Sequence, residues 1–242
     1  MPGPEITLSV VSHGQNALVN LLLADVERVC AGRVALVVTE NVPDSAPLAT
    51  GSLSCPIELI VNGAVQGFGA NHNAAFKRCR TPYFCVCNPD VRLTPDPFPP
   101  LLETLARPQA GVVGPLVRSP EGTTEDSARR FPTAATLLKR LFHDPRAPDY
   151  ATDRGALEVD WIAGMFMLFR SEAFRAVGGF DEAYFMYYED VDICRRLNAA
   201  QWRVLYEPRA AIVHQARRRS RRDPLHARHH LASALRFLLR RN

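Results

Sequence analysis

Apolar positions along the chain fall into short runs separated by amphipathic stretches. Ile6–Ser12, Arg33–Thr39, Ile57–Asn62, Tyr83–Cys87 and Ala110–Val117 are predominantly apolar, the pattern of strands buried on both faces. Between them, Asn16–Cys30 places Leu18, Leu22, Val26 and Val29 on one side of a helix, and Gly69–Cys79 suits a second. Val42–Pro56, rich in Pro, Ser and Gly, reads as loop. Pro95, Pro97, Pro99 and Pro100 open a third helix that ends near Ala106. Further on, Val159–Arg170 reads as one apolar strand. Ser171 is placed to cap a short helix that Gly178-Gly179 closes. Asp190–Ala200 predicts a helix, Arg203–His214 a strand and Leu225–Arg241 a final helix.

Gly122–Arg154 has no clear period. It is polar, carries Pro132, Pro145 and Pro148, holds one helical run at Ala134–Phe142, and is expected to form a loop over a site. Strands alternating with helices predict an α/β fold with a mostly parallel central sheet flanked by helices. With no internal repeat and no clear linker, one domain is expected over 1–216. Residues 217–242 would form a basic helical extension packed on or near it.

Composition narrows the class. Hydrophobic residues make up 47% of the 242, enough for a full core. Met1–Glu5 lacks the basic segment of a signal peptide, and no apolar run approaches the roughly 20 residues of a membrane span, so a cytoplasmic protein is expected. Cys30, Cys55, Cys79, Cys85, Cys87 and Cys194 show no metal-binding spacing and read as buried free thiols. The net charge is only +4, but the basic excess gathers at the end of the chain, in "RRRSRR" (Arg217–Arg222) and in Arg228, Arg236, Arg240 and Arg241. That tail reads as a solvated face or, with the stripe Leu231, Leu235 and Leu238, as contact with an anionic membrane surface. It lacks interleaved aromatics, so no nucleic-acid partner is expected.

Candidate chemistry gathers where strands end, which is where open α/β sheets bind ligands. Ser12-His13, Glu40-Asn41, Asn62 and Asn88-Pro89-Asp90 make a row of hydrogen-bonding groups such as a nucleotide needs. Gly67-Phe68-Gly69 is not a dinucleotide fingerprint, because His72 stands where the third glycine belongs and no strand immediately precedes it. In "NPDVRL", Asp90 is a hard oxygen ligand suited to Mg²⁺ or Mn²⁺ and Asn88 can add an oxygen. The densest signal is "GGFDEAYFMYYEDVDICRRL", which sets Glu189, Asp190 and Asp192 behind an aromatic run. At a helix start the dipole offsets their mutual repulsion, and Asp192 can pair with Arg196 one turn on. A carboxylate among aromatics is partly desolvated and so a better proton acceptor.

These motifs, with "VVSHGQ", "GFGANHNAAF", "WIAGMFMLFRSEAFRAVGGFDEAYFMYYEDVDICRRL" and "IVHQARRRS" in that order, resemble family 2 glycosyltransferases of the GT-A fold, above all bacterial rhamnosyltransferase-like members. Trp161–Leu197 is the specific part. The resemblance implies Asp190 as general base, supported by Glu189, and Trp161 and Gly164 on the acceptor wall. It implies donor contacts from Ser12, Glu40, Asn41, Asn62, Asn73, Asn88, Asp90 and Arg217, and a metal held by Asp90 and His214. Asn88 departs from the acid expected two positions before Asp90, and Glu40 stands where an Asp is usual. The implied reaction is inverting transfer of a sugar, rhamnose for example, from a nucleoside diphosphate to a hydroxyl of a saccharide or lipid-linked saccharide. Its setting would be cell-surface polysaccharide synthesis at the inner face of the membrane. The competing reading is a non-catalytic nucleotide- or carbohydrate-binding protein on the same scaffold.

Overall fold

The computed structural model describes residues 3–51, 53–133, 149–150, 155–215 and 224–239. Its centre is a 10-stranded sheet whose main path runs β3-β2-β1-β4-β11-β6-β12-β5. The strands are β1 (Ile6–His13), β2 (Val34–Val42), β3 (Ile57–Val61), β4 (Tyr83–Cys87), β5 (Val91–Arg92), β6 (Ala110–Arg118), β11 (Phe166–Arg170) and β12 (Arg203–His214). Short strands β7 (Thr124–Glu125) and β9 (Leu157–Glu158) add to β6 and β12, while β8 (Ala128–Arg129) and β10 (Trp161–Ile162) pair separately. The pairs β3-β2, β2-β1, β1-β4 and β6-β12 are parallel. β11 runs antiparallel to both of its neighbours.

Alternation along the strands feeds two cores. Ile6, Leu8, Val10, Cys85, Cys87 and Leu168 face one side, where helices α1 (Asn16–Cys30) and α3 (Phe98–Leu105) cover them with Leu22, Val26, Phe98 and Leu101. Phe84, Val86, Met167 and Phe169 face the other. There they meet α2 (Phe68–Phe76), α4 (Ser171–Ala176), α5 (Glu189–Ala199) and α6 (Pro224–Leu239) through Ala75, Phe174, Leu197 and Phe237. Each such fully buried side chain contributes ~1.5–3 kcal/mol. All six cysteines are buried and free, as their spacing predicts.

Register positions the site. Ser12 pairs with Glu40, Glu40 with Val61, and Val10 with Cys87. The parallel strands β1 to β4 therefore end side by side, and Asn62 and Asn88 each lie one residue past a strand end.

Several expectations need correction. Val159–Arg170 is not one strand: β10 and β11 are separated at Ala163–Met165, where the Ala163 and Gly164 amides bond to Ser127 and Asp190 instead of a ladder neighbour. Ser171 does not cap α4. It is the first helical residue, and its hydroxyl donates to the Thr81 carbonyl. Arg33 belongs to a 3-10 turn before β2, and α2 spans Phe68–Phe76 rather than Gly69–Cys79. The predicted helical run at Ala134–Phe142 lies outside the described residues.

Candidate active site

α5 begins abruptly. Tyr187 and Tyr188 have φ of 70° and 68°, a left-handed conformation that non-glycine residues adopt at a cost of roughly 1–2 kcal/mol each. The Tyr187 hydroxyl meets His226 Nδ1 at 2.9 Å, and Tyr188 packs edge-on against His230 and at a tilt against Phe237 of α6, which hold the pair in place. The backbone turns through these two tyrosines directly into Glu189 and Asp190.

The three acids take three different environments. Asp192 is fully buried and paired, at 3.3 Å from Arg195 and 2.7 Å from Arg196, so it fastens the helix. Asp190 accepts the Gly164 amide at 2.9 Å on Oδ2 and the Val191 amide at 2.9 Å on Oδ1. Burial raises its pKa, and those amides and the charge of Arg129 offset only part of the rise. Glu189 has no comparable donors beyond its own amide: its Oε2 is sealed from water without a hydrogen-bond partner. Burial, then the neighbouring Asp190 charge, pushes its pKa well above the ordinary carboxylate range.

Glu189 and Asp190 line a cleft of about 890 Å³ together with Trp161, Met165, Tyr187 and Tyr188, walled on one side by His230, Leu231 and Leu238 of α6. Trp161 donates its indole N–H to the Arg130 carbonyl at 2.9 Å and carries the Arg129 guanidinium 5.5 Å from its ring centre. Gly164 is not among the residues that line this cleft; its amide instead orients the Asp190 carboxylate.

A second cluster forms where β12 pairs with β5. His214 lies with Nε2 3.3 Å from Asp90 Oδ1 and Nδ1 2.9 Å from Glu125 Oε2. Burial disfavours the imidazolium, but Asp90 and then Glu125 outweigh it and raise the His214 pKa. Asp90 Oδ1 is buried outside hydrogen-bonding geometry. The two clusters meet in adjacent residues: the Gly164 amide holds Asp190, and the Met165 carbonyl accepts the Asn88 amide at 2.9 Å.

At the ends of β1 to β3 the polar side chains satisfy one another. Asn41 Oδ1 accepts from Asn62 at 2.9 Å and from the Gln66 amide at 2.8 Å, while Asn41 Nδ2 donates to the Gln66 carbonyl at 2.9 Å. Asn62 also donates to Asn71 at 2.6 Å. Ser12 donates to Asn16 at 2.6 Å, and Asn16 donates to Glu40 at 2.8 Å. Asn73 is committed elsewhere: its amide brackets the Phe180 N–H and carbonyl, both at 2.9 Å, and holds the turn after α4. Arg217 lies outside the described residues.

Sequence reasoning passed over Glu125 and Arg129, which sit in the polar stretch after Gly122, and Asn71 beyond its place near a helix start. Periodicity carries no sign of the first two, because their partners lie 89 and 32 residues away in the chain, at His214 and Trp161.

A family model described as "Glycosyltransferase like family 2" matches residues 3–232. The N-acetylglucosaminyl-diphospho-decaprenol L-rhamnosyltransferase of Mycobacterium tuberculosis is 32% identical over 267 residues, covering 100% of this chain and 85% of that protein. Rhamnosyltransferase WbbL of Escherichia coli is 31% identical over 194 residues, covering 75% of this chain and 73% of that protein. The fold is shared with mannosyltransferase PcManGT from Pyrobaculum calidifontis, solved with GDP-Man and Mn²⁺, at a TM-score of 0.63 and 17% identity over 98% of this chain and 65% of that one. It is shared equally with GalNAc-T7, solved with UDP, GalNAc and Mn²⁺, at 0.66 and 13% over 88% and 43%. The chain spans less than two thirds of either solved protein. The architecture is thus the GT-A type, and by the extent of the family match and the full-length relative the chain belongs to glycosyltransferase family 2.

Proposed function

We propose that the protein is an inverting, nucleotide-sugar-dependent glycosyltransferase that moves rhamnose to a hydroxyl of a lipid-linked saccharide in cell-surface polysaccharide synthesis. The carrying observation is the pair Gly164–Met165, which ties a buried carboxylate on one side to the Asn88–Asp90 strand end on the other. In this reading the backbone groups that tether the base and the diphosphate site are adjacent residues of the chain. The names of the relatives from M. tuberculosis and E. coli support rhamnose as the sugar, and the former supports an N-acetylglucosaminyl-diphospholipid as the acceptor.

In this reading Asp190 takes the proton of the acceptor hydroxyl as its oxygen bonds to the anomeric carbon. The bond from that carbon to the donor phosphate breaks, and the electron pair leaves with the diphosphate. One displacement inverts the centre. Asp190 must be ionised to act, so its raised pKa means that transfer fails on acidification earlier than an ordinary aspartate would dictate. Ser12, Glu40, Asn41 and Asn62 frame the nucleoside, Asn88 and Asp90 face the diphosphate together with Arg217, and Asn73 positions the turn behind the site. Trp161 and the apolar wall of α6 receive the acceptor.

The residues fit a divalent cation. Asp90 Oδ1 is an orphaned buried oxygen directed at the His214 imidazole, the hard and borderline donors that Mg²⁺ or Mn²⁺ accepts. Among the described residues no group of three or more His, Cys, Asp or Glu side chains is arranged to hold an ion. Asp90 and His214 would therefore share it with donor oxygens. When bound, it neutralises the charge that grows on the leaving diphosphate.

No helix among the described residues is long and apolar enough to cross a membrane. α6 does expose Leu231, Leu235, Leu238 and Leu239 beside Arg228 and Arg236. Contact of this stripe with anionic lipid at the inner face would bring a lipid-linked acceptor to the cleft.

The test is incubation with dTDP-rhamnose, Mn²⁺ and a short-chain N-acetylglucosaminyl-diphospholipid. A disaccharide product whose new linkage is inverted relative to the donor is expected. Donor binding without transfer or slow hydrolysis would make the protein a binder.

A further inference from the structure

Glu189 and Asp190 are adjacent and line one cleft, Glu189 buried and Asp190 partly so, yet their hydrogen bonds differ. Asp190 receives two backbone N–H groups, which favour its ionised form. Glu189 is 6% exposed, and its Oε2 is sealed without a partner. Ionising both would place two charges side by side in a site with donors for only one. The groups that face them do not correct this. Arg129 is already paired with Asp126 at 2.7 Å, Tyr187 and Tyr188 bring no positive charge, and burial lowers the His230 pKa, which disfavours an imidazolium there. When environments push two carboxyl groups apart in this way, one serves as base and the other retains its proton.

We propose that Glu189 works as a neutral acid, donating a hydrogen bond from its unsealed oxygen, Oε1, to an acceptor-sugar oxygen beside the reacting hydroxyl, and so selects and orients the acceptor. The target is a ring hydroxyl or an acetamido carbonyl, since only an oxygen with a free lone pair can use a lone carboxylic O–H. The proton is shared in the hydrogen bond and is not transferred; Asp190 alone takes the proton of the nucleophile. This rests on the glycosyl-transfer reading above. It assigns Glu189 to binding the acceptor rather than to removing a proton.

The experiment compares Glu189→Ala and Glu189→Gln with the wild type in rhamnosyl transfer, measuring KM and kcat for the acceptor and the donor dissociation constant across pH. Truncation to Ala is expected to raise acceptor KM about tenfold, the loss of one good hydrogen bond, with the donor constant unmoved. Gln, whose amide N–H also donates, should recover most of that loss. The wild type should lose acceptor kcat/KM on the alkaline side as Glu189 ionises, and the Gln variant should lack that limb. An alkaline limb that persists in Glu189→Gln would overturn the proposal, even if the Ala variant does not fold. So would a kcat loss of about 100-fold in Glu189→Gln at unchanged KM, the mark of a required anion. A wild type that binds no nucleotide sugar would overturn the transfer reading itself, and this proposal with it.

Discussion

The two polar regions at the carboxyl edge of the sheet are built in opposite ways. At the ends of β1 to β3, Asn41, Asn62, Asn71 and the Gln66 backbone spend their hydrogen bonds on one another and set a rigid frame. At the start of α5, Glu189 has one carboxyl oxygen left without a partner, and the donors to Asp190 offset only part of its desolvation. Amides carry no charge, so closing them into a network costs little and fixes geometry. Carboxylates held short of donors have shifted proton affinity and are ready to react. In the proposed glycosyl transfer, one region is the platform for binding and the other the place where a proton moves.

The harshest way to break this contrast is Asp190→Asn, which keeps the shape and the Gly164 contact on the oxygen it retains. Transfer should fall by roughly 10²-fold or more, followed as product per enzyme at saturating substrates. Glu125→Gln probes the support beneath the metal candidate. Glu125 holds His214 Nδ1, and losing such an outer partner typically weakens a metal site roughly 10-fold or more. Titration of Mn²⁺ by electron paramagnetic resonance in the presence of dTDP reads that directly, and EDTA should suppress wild-type transfer until Mg²⁺ or Mn²⁺ is restored. Asn41→Ala attacks the platform. It strands the Asn62 amide and the Gln66 N–H, costing about 1–3 kcal/mol of stability, visible in denaturant unfolding, and raising donor KM more than it lowers kcat.

The same contrast explains what could be read from sequence. The apolar runs of β1, β2, β3, β4 and β6 and the helical face of α1 are dense local patterns, and the structure keeps them to within a residue except that β2 runs on to Val42; β3 is an edge strand that leaves Leu59 and Val61 exposed rather than buried on both faces. The pairing of Asp192 with Arg196 follows from a helix turn alone. Glu189 and Asp190 stand out because carboxylates beside aromatics are chemically costly. Local pattern fails where long-range contacts decide. The break at Ala163–Met165 sits in an unbroken apolar run, and only Asp190 and Ser127, brought there by folding, call for it. Tyr187 and Tyr188 turn left-handed against their own preference because α6 packs on them. The family resemblance implies a donor contact for Asn73, but Phe180, 107 residues on, claims its amide.

The pH dependence of kcat tests the central assignment most directly, because a group that accepts the acceptor's proton imprints its titration on turnover. Burial raises the pKa of Asp190 above its usual 3.8. Turnover should therefore decline on the acid side with an apparent pKa above that value, one that belongs to the coupled Glu189–Asp190 pair. Turnover that stays level down to about pH 4, the ordinary aspartate range, in a protein still folded and still binding donor, would contradict the account.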